Sequence, residues 1–192
     1  DIKGYGGDDH LLGGRGYDVI LGGDGDDHIE GGSGTDDLWG EAGNDLIIGG
    51  SGTNYMDGGD GNDRIVSLSS NDTGVGGNHD DIFFLYGSGV YNGDHGNDLF
   101  VMRDFGRGNL NGGIGIDTLS YEDRDMSIEA DLNATVTTYI NGFSDTFTIL
   151  TDSISQIENL YGSSAADIIK GTATANVLRG LEGNDEIYGR PH

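Results

Sequence analysis

From Gly4 onward the chain repeats itself every nine residues, and this period limits its fold more than any other feature of the sequence. Successive units read GYGGDDHLL, GGRGYDVIL, GGDGDDHIE, GGSGTDDLW, GEAGNDLII, GGSGTNYMD and GGDGNDRIV. The next nine, SLSSNDTGV, keep the phase without the glycines, and GGNHDDIFF recovers the pattern. Later units are GDHGNDLFV (93–101), GGIGIDTLS (112–120) and the three that begin at Gly162, Gly171 and Gly180. The consensus is GGxGxDxUx, where U is a large apolar residue. A fixed short period with one apolar position per repeat marks a stacked coil, because no single repeat can bury its own face.

Each unit divides in two. Positions one to six are a tight turn, whose glycines supply backbone angles that other residues resist. Positions seven to nine leave room for a three-residue strand with its central side chain inward. The inward register runs Ile2, Leu11, Ile20, Ile29, Leu38, Ile47, Met56, Ile65, Phe83, Phe100, Leu119, Ile169, Leu178 and Ile187. The expected fold is all-β: a parallel β-roll, a right-handed β-helix of nonapeptides, with an irregular β-rich linker or cap. Residues 1–120 form the main roll, irregular at 67–75, 85–92 and 102–111. Residues 121–161 are the linker or cap, and 162–192 a second, short roll block. Both ends fall within repeats, so the chain reads as a piece of a longer protein.

Position six carries the chemistry. Of the 34 acidic residues 27 are Asp, and Asp stands at position six almost throughout. A solvated acidic face would mix Asp with Glu, whereas a fixed short carboxylate says that an oxygen must sit at one distance from something. Carboxylates and glycine-rich carbonyls are hard oxygen donors and suit Ca²⁺. Two nonapeptides complete one coil, so turns 18 residues apart stack at the strand spacing of about 4.8 Å. Several ions would then lie between stacked turns, on pairs such as Asp9 with Asp27, Asp18 with Asp36, and Asp27 with Asp45. The expected ligands are Asp9, Asp18, Asp27, Asp36, Asp45, Asp63, Asp81, Asp98, Asp117, Asp167 and Asp185. Asn54 breaks the series, and Asp72 faces it in a turn without glycines, so no ion is expected there. One buried apolar side chain per nine ordered residues is too little to offset lost backbone entropy. Stacked carboxylates also repel, so metal binding and folding should be one event.

Composition excludes several partners. A formal net charge of −25, from 34 acidic and nine basic residues, argues against nucleic acid and against direct insertion in a membrane. The absence of cysteine rules out a disulfide scaffold. No H-E-x-x-H or G-x-S-x-G signature is present, and Asp72-Thr73-Gly74 falls at repeat positions six to eight, so no catalysis is expected of this chain.

These nonapeptides resemble the RTX (repeats-in-toxin) calcium-binding β-roll of exported bacterial proteins. Residues 112–189, from GGIGIDTLSY through IEADL to DSISQIENLYGSSAADIIKGTATANVLRGLEGNDEIYG, are similar to the joins between repeat blocks in adenylate cyclase toxins. The resemblance implies a part of a toxin or adhesin exported by a type I machine, disordered in the low-calcium cytosol and folded outside the cell. It also places position-six Asp and nearby turn carbonyls on the metal. The alternative is a carbohydrate-binding accessory module of a secreted polysaccharide-modifying enzyme. Nine scattered basic residues are a poor basis for a polysaccharide groove, and the calcium module is preferred.

Between Tyr121 and Tyr161 the residues alternate like strands. TVTTYI and FSDTFTIL flank an Asn141-Gly142 turn and read as a hairpin. His10 and His28 occupy the same repeat position in turns stacked on one edge, and read as exposed histidines rather than a transition-metal pair.

Overall fold

The computed structural model describes residues 1–133, 135–141 and 147–189. The main roll opens with β1 (Ile2–Gly6), β2 (His10–Gly16), β3 (Val19–Asp24), β4 (His28–Gly34), β5 (Asp37–Ala42), β6 (Leu46–Gly52) and β7 (Tyr55–Asp60). It continues with β8 (Arg64–Ser67), β9 (Asp72–Asn78), β10 (Ile82–Leu85), β11 (Ser88–His95), β12 (Leu99–Met102), β13 (Arg107–Ile114) and β14 (Thr118–Ser120). Then come β15 (Ile128–Asp131), β16 (Thr135–Asn141), β17 (Phe147–Ser155), β18 (Asn159–Tyr161), β19 (Ile168–Lys170), β20 (Leu178–Arg179) and β21 (Glu186–Tyr188). Up to β14 the strands alternate between two sheets, and β15, β16 and β17 all join the first. One has the order β1-β3-β5-β7-β9-β11-β13-β17-β16-β15-β19-β21, the other β2-β4-β6-β8-β10-β12-β14-β18-β20. The fold is a parallel β-roll, as the period requires.

Register follows the repeat. Ile20 pairs with Leu38 and Ile29 with Ile47, so one coil is 18 residues. The strands are longer than three residues: β4 covers positions seven to nine and four residues of the next turn. Ile20, Ile29, Leu38, Ile47, Met56, Ile65, Phe83, Phe100, Leu119 and Ile169 are fully buried, while Ile2, Leu11 and Leu178 pack against this core from the outer coils.

The stretches irregular in sequence stay in the stack. Strands β9, β11 and β13 lie in or across 67–75, 85–92 and 102–111 and pair in parallel. The coil shortens to 17 residues between Ile82 and Leu99, then lengthens to 19 between Leu99 and Thr118, with the difference taken up in the turns. Gly74 stands where an inward apolar residue belongs. A Cβ there would come 3.0 Å from the Tyr91 ring, and Tyr91, fully buried, fills the space beside Phe83.

Strands β16 and β17 are the expected antiparallel hairpin, paired from Thr135–Ser153 to Asn141–Phe147. The turn from Gly142 to residue 146 lies outside the described residues. The hairpin is built into the stack: β17 also pairs in parallel with β13, and β15 with β19. On the opposite sheet β14 passes directly to β18. A buried polar knot fastens it. Tyr121 donates its hydroxyl to Asp152 Oδ2 (2.6 Å), Gly108 N–H donates to Asp152 Oδ1 (2.8 Å), and Arg124 donates to the Gly106 carbonyl. The Arg124 guanidinium lies 4.8 Å from the centre of the Tyr121 ring.

Candidate metal centres on the turn edges

Glycine serves two purposes in these turns. At positions two and four the backbone is left-handed: φ is +118° at Gly23 and +129° at Gly25. Tyr5, Glu41, Asp94 and Leu181 also have positive φ at position two, and His79 at position four. Position one is different. Gly22 has an ordinary φ, yet a Cβ on it would lie 2.4 Å from Asp27 Oδ2 and 2.6 Å from the Gly40 carbonyl oxygen. The same collision, with the turn's own position-six Asp and the glycine carbonyl one coil on, recurs at Gly4, Gly13, Gly31, Gly40, Gly58, Gly76 and Gly93. A carboxylate oxygen and a backbone oxygen therefore converge against each of these glycines, but not against Gly49, Gly171 or Gly180.

Position-six residues form two ladders, one on each turn edge: the longer runs from Asp9 to Asp117 and the other starts at Asp18. Asp9 N–H donates to Asp27 Oδ1 (2.8 Å), Asp18 to Asp36 (2.9 Å), and Asp27 to Asp45 (2.7 Å). Asp45, Asp63, Asp81 and Asp98 repeat the contact with Asp63, Asp81, Asp98 and Asp117 respectively. The expected pairs of Asp residues are thus stacked as the period requires. The other oxygen is left over: Oδ2 of Asp9, Asp18, Asp27, Asp36, Asp45, Asp63, Asp81, Asp98 and Asp117 is buried without a hydrogen-bond partner.

Buried unpartnered carboxylate oxygens raise the pKa. Asp27 and Asp36 lie above their ordinary value, Asp45 and Asp117 are pushed up to about 6, Asp63 and Asp98 to about 7, and Asp81 to about 8. Loss of solvent is the main cause in each. Neighbouring carboxylates add to it, and the N–H of the ladder opposes it. Converging hard oxygens that disfavour their own charge fit a hard divalent cation, which offsets both burial and repulsion.

Other turns depart from this arrangement. Asp72 Oδ2 accepts from Ser67 Oγ (2.7 Å), which in turn accepts from the Tyr91 hydroxyl (2.7 Å), so no oxygen is left for a metal. Asp167 Oδ2 accepts from Ser163 N–H within its own turn (2.6 Å). Asp185 accepts from Asp167 N–H (3.0 Å) at the outermost coil. The turns at Gly162 and Gly171 contain no left-handed residue, and bonds from Ser163 to Asp167 and from Thr172 to Asn176 close them instead.

Two features were missed in sequence. Glu158 takes the position-six place after the hairpin and accepts from Asp117 N–H (2.8 Å). A further ladder runs at position five on one edge, through Asp8, Asp26, Asn44, Asn62, Asp80 and Asn97, each accepting from the N–H one coil later. Its signal is visible in retrospect, since Asp or Asn recurs every 17 or 18 residues there. Tyr17, Thr35 and Thr53 hold position five on the other edge.

No curated protein matches the chain. A family model described as the RTX calcium-binding nonapeptide repeat (4 copies) matches residues 3–38, 30–65 and 161–190. With the period, the parallel roll and the carboxylate ladder, these matches show that the chain carries RTX calcium-binding nonapeptide repeats.

Proposed function

We propose that this calcium-binding RTX module is the folding device of an exported bacterial toxin or adhesin. It leaves the cytosol unfolded through a type I secretion machine and folds on meeting extracellular calcium. The observation that carries this reading is the column of buried, unpartnered Oδ2 atoms from Asp9 to Asp117. Left ionised and metal-free, that column opposes the fold; with an ion between each pair of turns it supports it. The ligands are Asp9, Asp18, Asp27, Asp36, Asp45, Asp63, Asp81, Asp98 and Asp117, with the turn carbonyls beside them. Asp167 and Asp185 form a weaker outlying site, because Ser163 already donates to both Asp167 oxygens. Residues 1–120 and 162–192 act as two loading blocks joined by 121–161. The chain carries no chemistry of its own.

Equilibrium dialysis against calcium, on the full chain and on Asp63→Asn, tests the assignment. Several ions should bind cooperatively, and the variant, which keeps the ladder acceptor but loses a charge, should bind fewer and more weakly. Equal stoichiometry and affinity in the two proteins would remove position six from the metal.

A further inference from the structure

His10 and His28, at position seven of turns stacked on one edge, stand on the outer face of the second sheet. His10 and His28 are register partners on β2 and β4, and Glu30 stands two residues beyond His28 on the same face. The imidazole rings are stacked with centroids 4.4 Å apart and planes 15° from parallel. Glu30 Oε1 lies 3.2 Å from His28 Nε2 and 3.6 Å from His10 Nε2. His28 Nε2 is shielded from solvent and makes no hydrogen bond.

We propose that His10, His28 and Glu30 form a second kind of metal site, for a zinc-like divalent transition ion, distinct in chemistry and position from the calcium turns. Zinc is held by nitrogen and carboxylate oxygen at about 2.0–2.2 Å, so the edges of its tetrahedron are roughly 3.3–3.6 Å. Two of the three edges here are 3.2 and 3.6 Å. One ligand atom from each of the three residues falls within 4.8 Å of the others. A turn of the more exposed His10 ring closes the third edge, and water takes the fourth position. Imidazole is a poor ligand for calcium and a good one for zinc, so the two metals sort to different places.

The cluster is local. Further along the ladder Leu46 and Arg64 follow His28 at position seven, and neither is a zinc ligand. β2 pairs only with β4 among the described strands, so an ion bridging them fastens a strand that has one neighbour. Because His10 and His28 meet only when these coils are in register, zinc should favour the same folded state as calcium, and each should tighten the other.

Zinc calorimetry on the full chain in millimolar Ca²⁺, with folding checked by circular dichroism, decides the matter. One zinc ion per chain should bind with a micromolar Kd, and added zinc should raise the Tm. His10→Gln and His28→Gln should each weaken binding at least tenfold while leaving the calcium-loaded spectrum unchanged, and Glu30→Gln should weaken it less. The two histidine variants are independent, so loss of folding in one leaves the other to answer. Absence of zinc binding would overturn the proposal and leave an ion pair only. So would binding that survives both substitutions, or that is lost in His79→Gln/His95→Gln instead.

Discussion

At Gly22 the missing side chain makes room for oxygen, whereas at Gly14 it permits a backbone angle. Gly14 has φ of +100° and open space around its absent Cβ. Alanine there should cost about 1–2 kcal/mol of left-handed strain. Gly22→Ala would instead drive a methyl group to 2.4 Å from Asp27 Oδ2, displacing the oxygen assigned to the ion. Gly22→Ala should therefore raise the calcium midpoint far more than Gly14→Ala, in titrations followed by circular dichroism. Equal shifts would show that both glycines act through the backbone alone. The same reasoning separates Asp45 from Asp72. Asp45→Asn keeps the acceptor for Asp27 N–H and removes a charge beside the metal, and should raise the midpoint about tenfold, or 1.4 kcal/mol. Asp72, in the turn where no ion is expected, instead accepts from the Ser67 hydroxyl and the Asn54 N–H in the core. Asp72→Ala should lower thermal stability by about 1–3 kcal/mol without reducing the number of ions bound, as differential scanning calorimetry and dialysis would show.

Strand β17 owes its place to contacts far away in sequence. Its Asp152 is fully buried and accepts from Tyr121 and Gly108, so the hairpin is fixed to β13 and to the residue that follows β14. Tyr121→Phe leaves a buried acceptor short of a donor and should cost about 1.5–3 kcal/mol in thermal unfolding of the calcium-loaded chain. A truncation after Ser120 removes β17 from the side of β13 and uncovers Leu110 and Leu119. It should stay disordered, or aggregate, at calcium levels that fold the full chain. Cooperative folding of that piece at the full-length midpoint would leave the hairpin a mere insertion. The hairpin itself was legible, because alternation and Asn-Gly are local signals. Its intercalation between β13 and β15 was not, since Asp152 and Gly108 are 44 residues apart and no period links them. The nonapeptide phase fixed the inward register and the stacking of Asp9 on Asp27, both consequences of an 18-residue coil. The roles of Glu158 and Ser67 are set by coil-to-coil placement where the repeat fails, beyond the reach of its phase.

The whole chain carries a formal charge of −25, and its central carboxyls resist ionisation once folded. Asp45, Asp63, Asp81, Asp98 and Asp117 have folded pKa values of about 6 to 8, all raised above the ordinary value of 3.8. A raised pKa means that the folded state binds the proton more tightly. The metal-free fold is therefore favoured below about pH 4, and that contribution is lost as pH rises through 6 to 8. Metal-stripped protein should gain β-structure as pH falls from 8 to 5.5, and calcium binding near pH 7 should release protons. A metal-free spectrum independent of pH would contradict the buried-carboxylate account. The most direct measurement of calcium-driven folding is a titration at pH 7.5, read by far-ultraviolet circular dichroism and size-exclusion chromatography. In excess chelator the chain should be expanded and disordered, and at roughly 10⁻⁴–10⁻³ M Ca²⁺ it should become compact and β-rich. Equal Mg²⁺ should fail, because it keeps its water and its octahedral geometry. A compact, β-rich chain in chelator at that pH would contradict the claim that the ions and the fold form together.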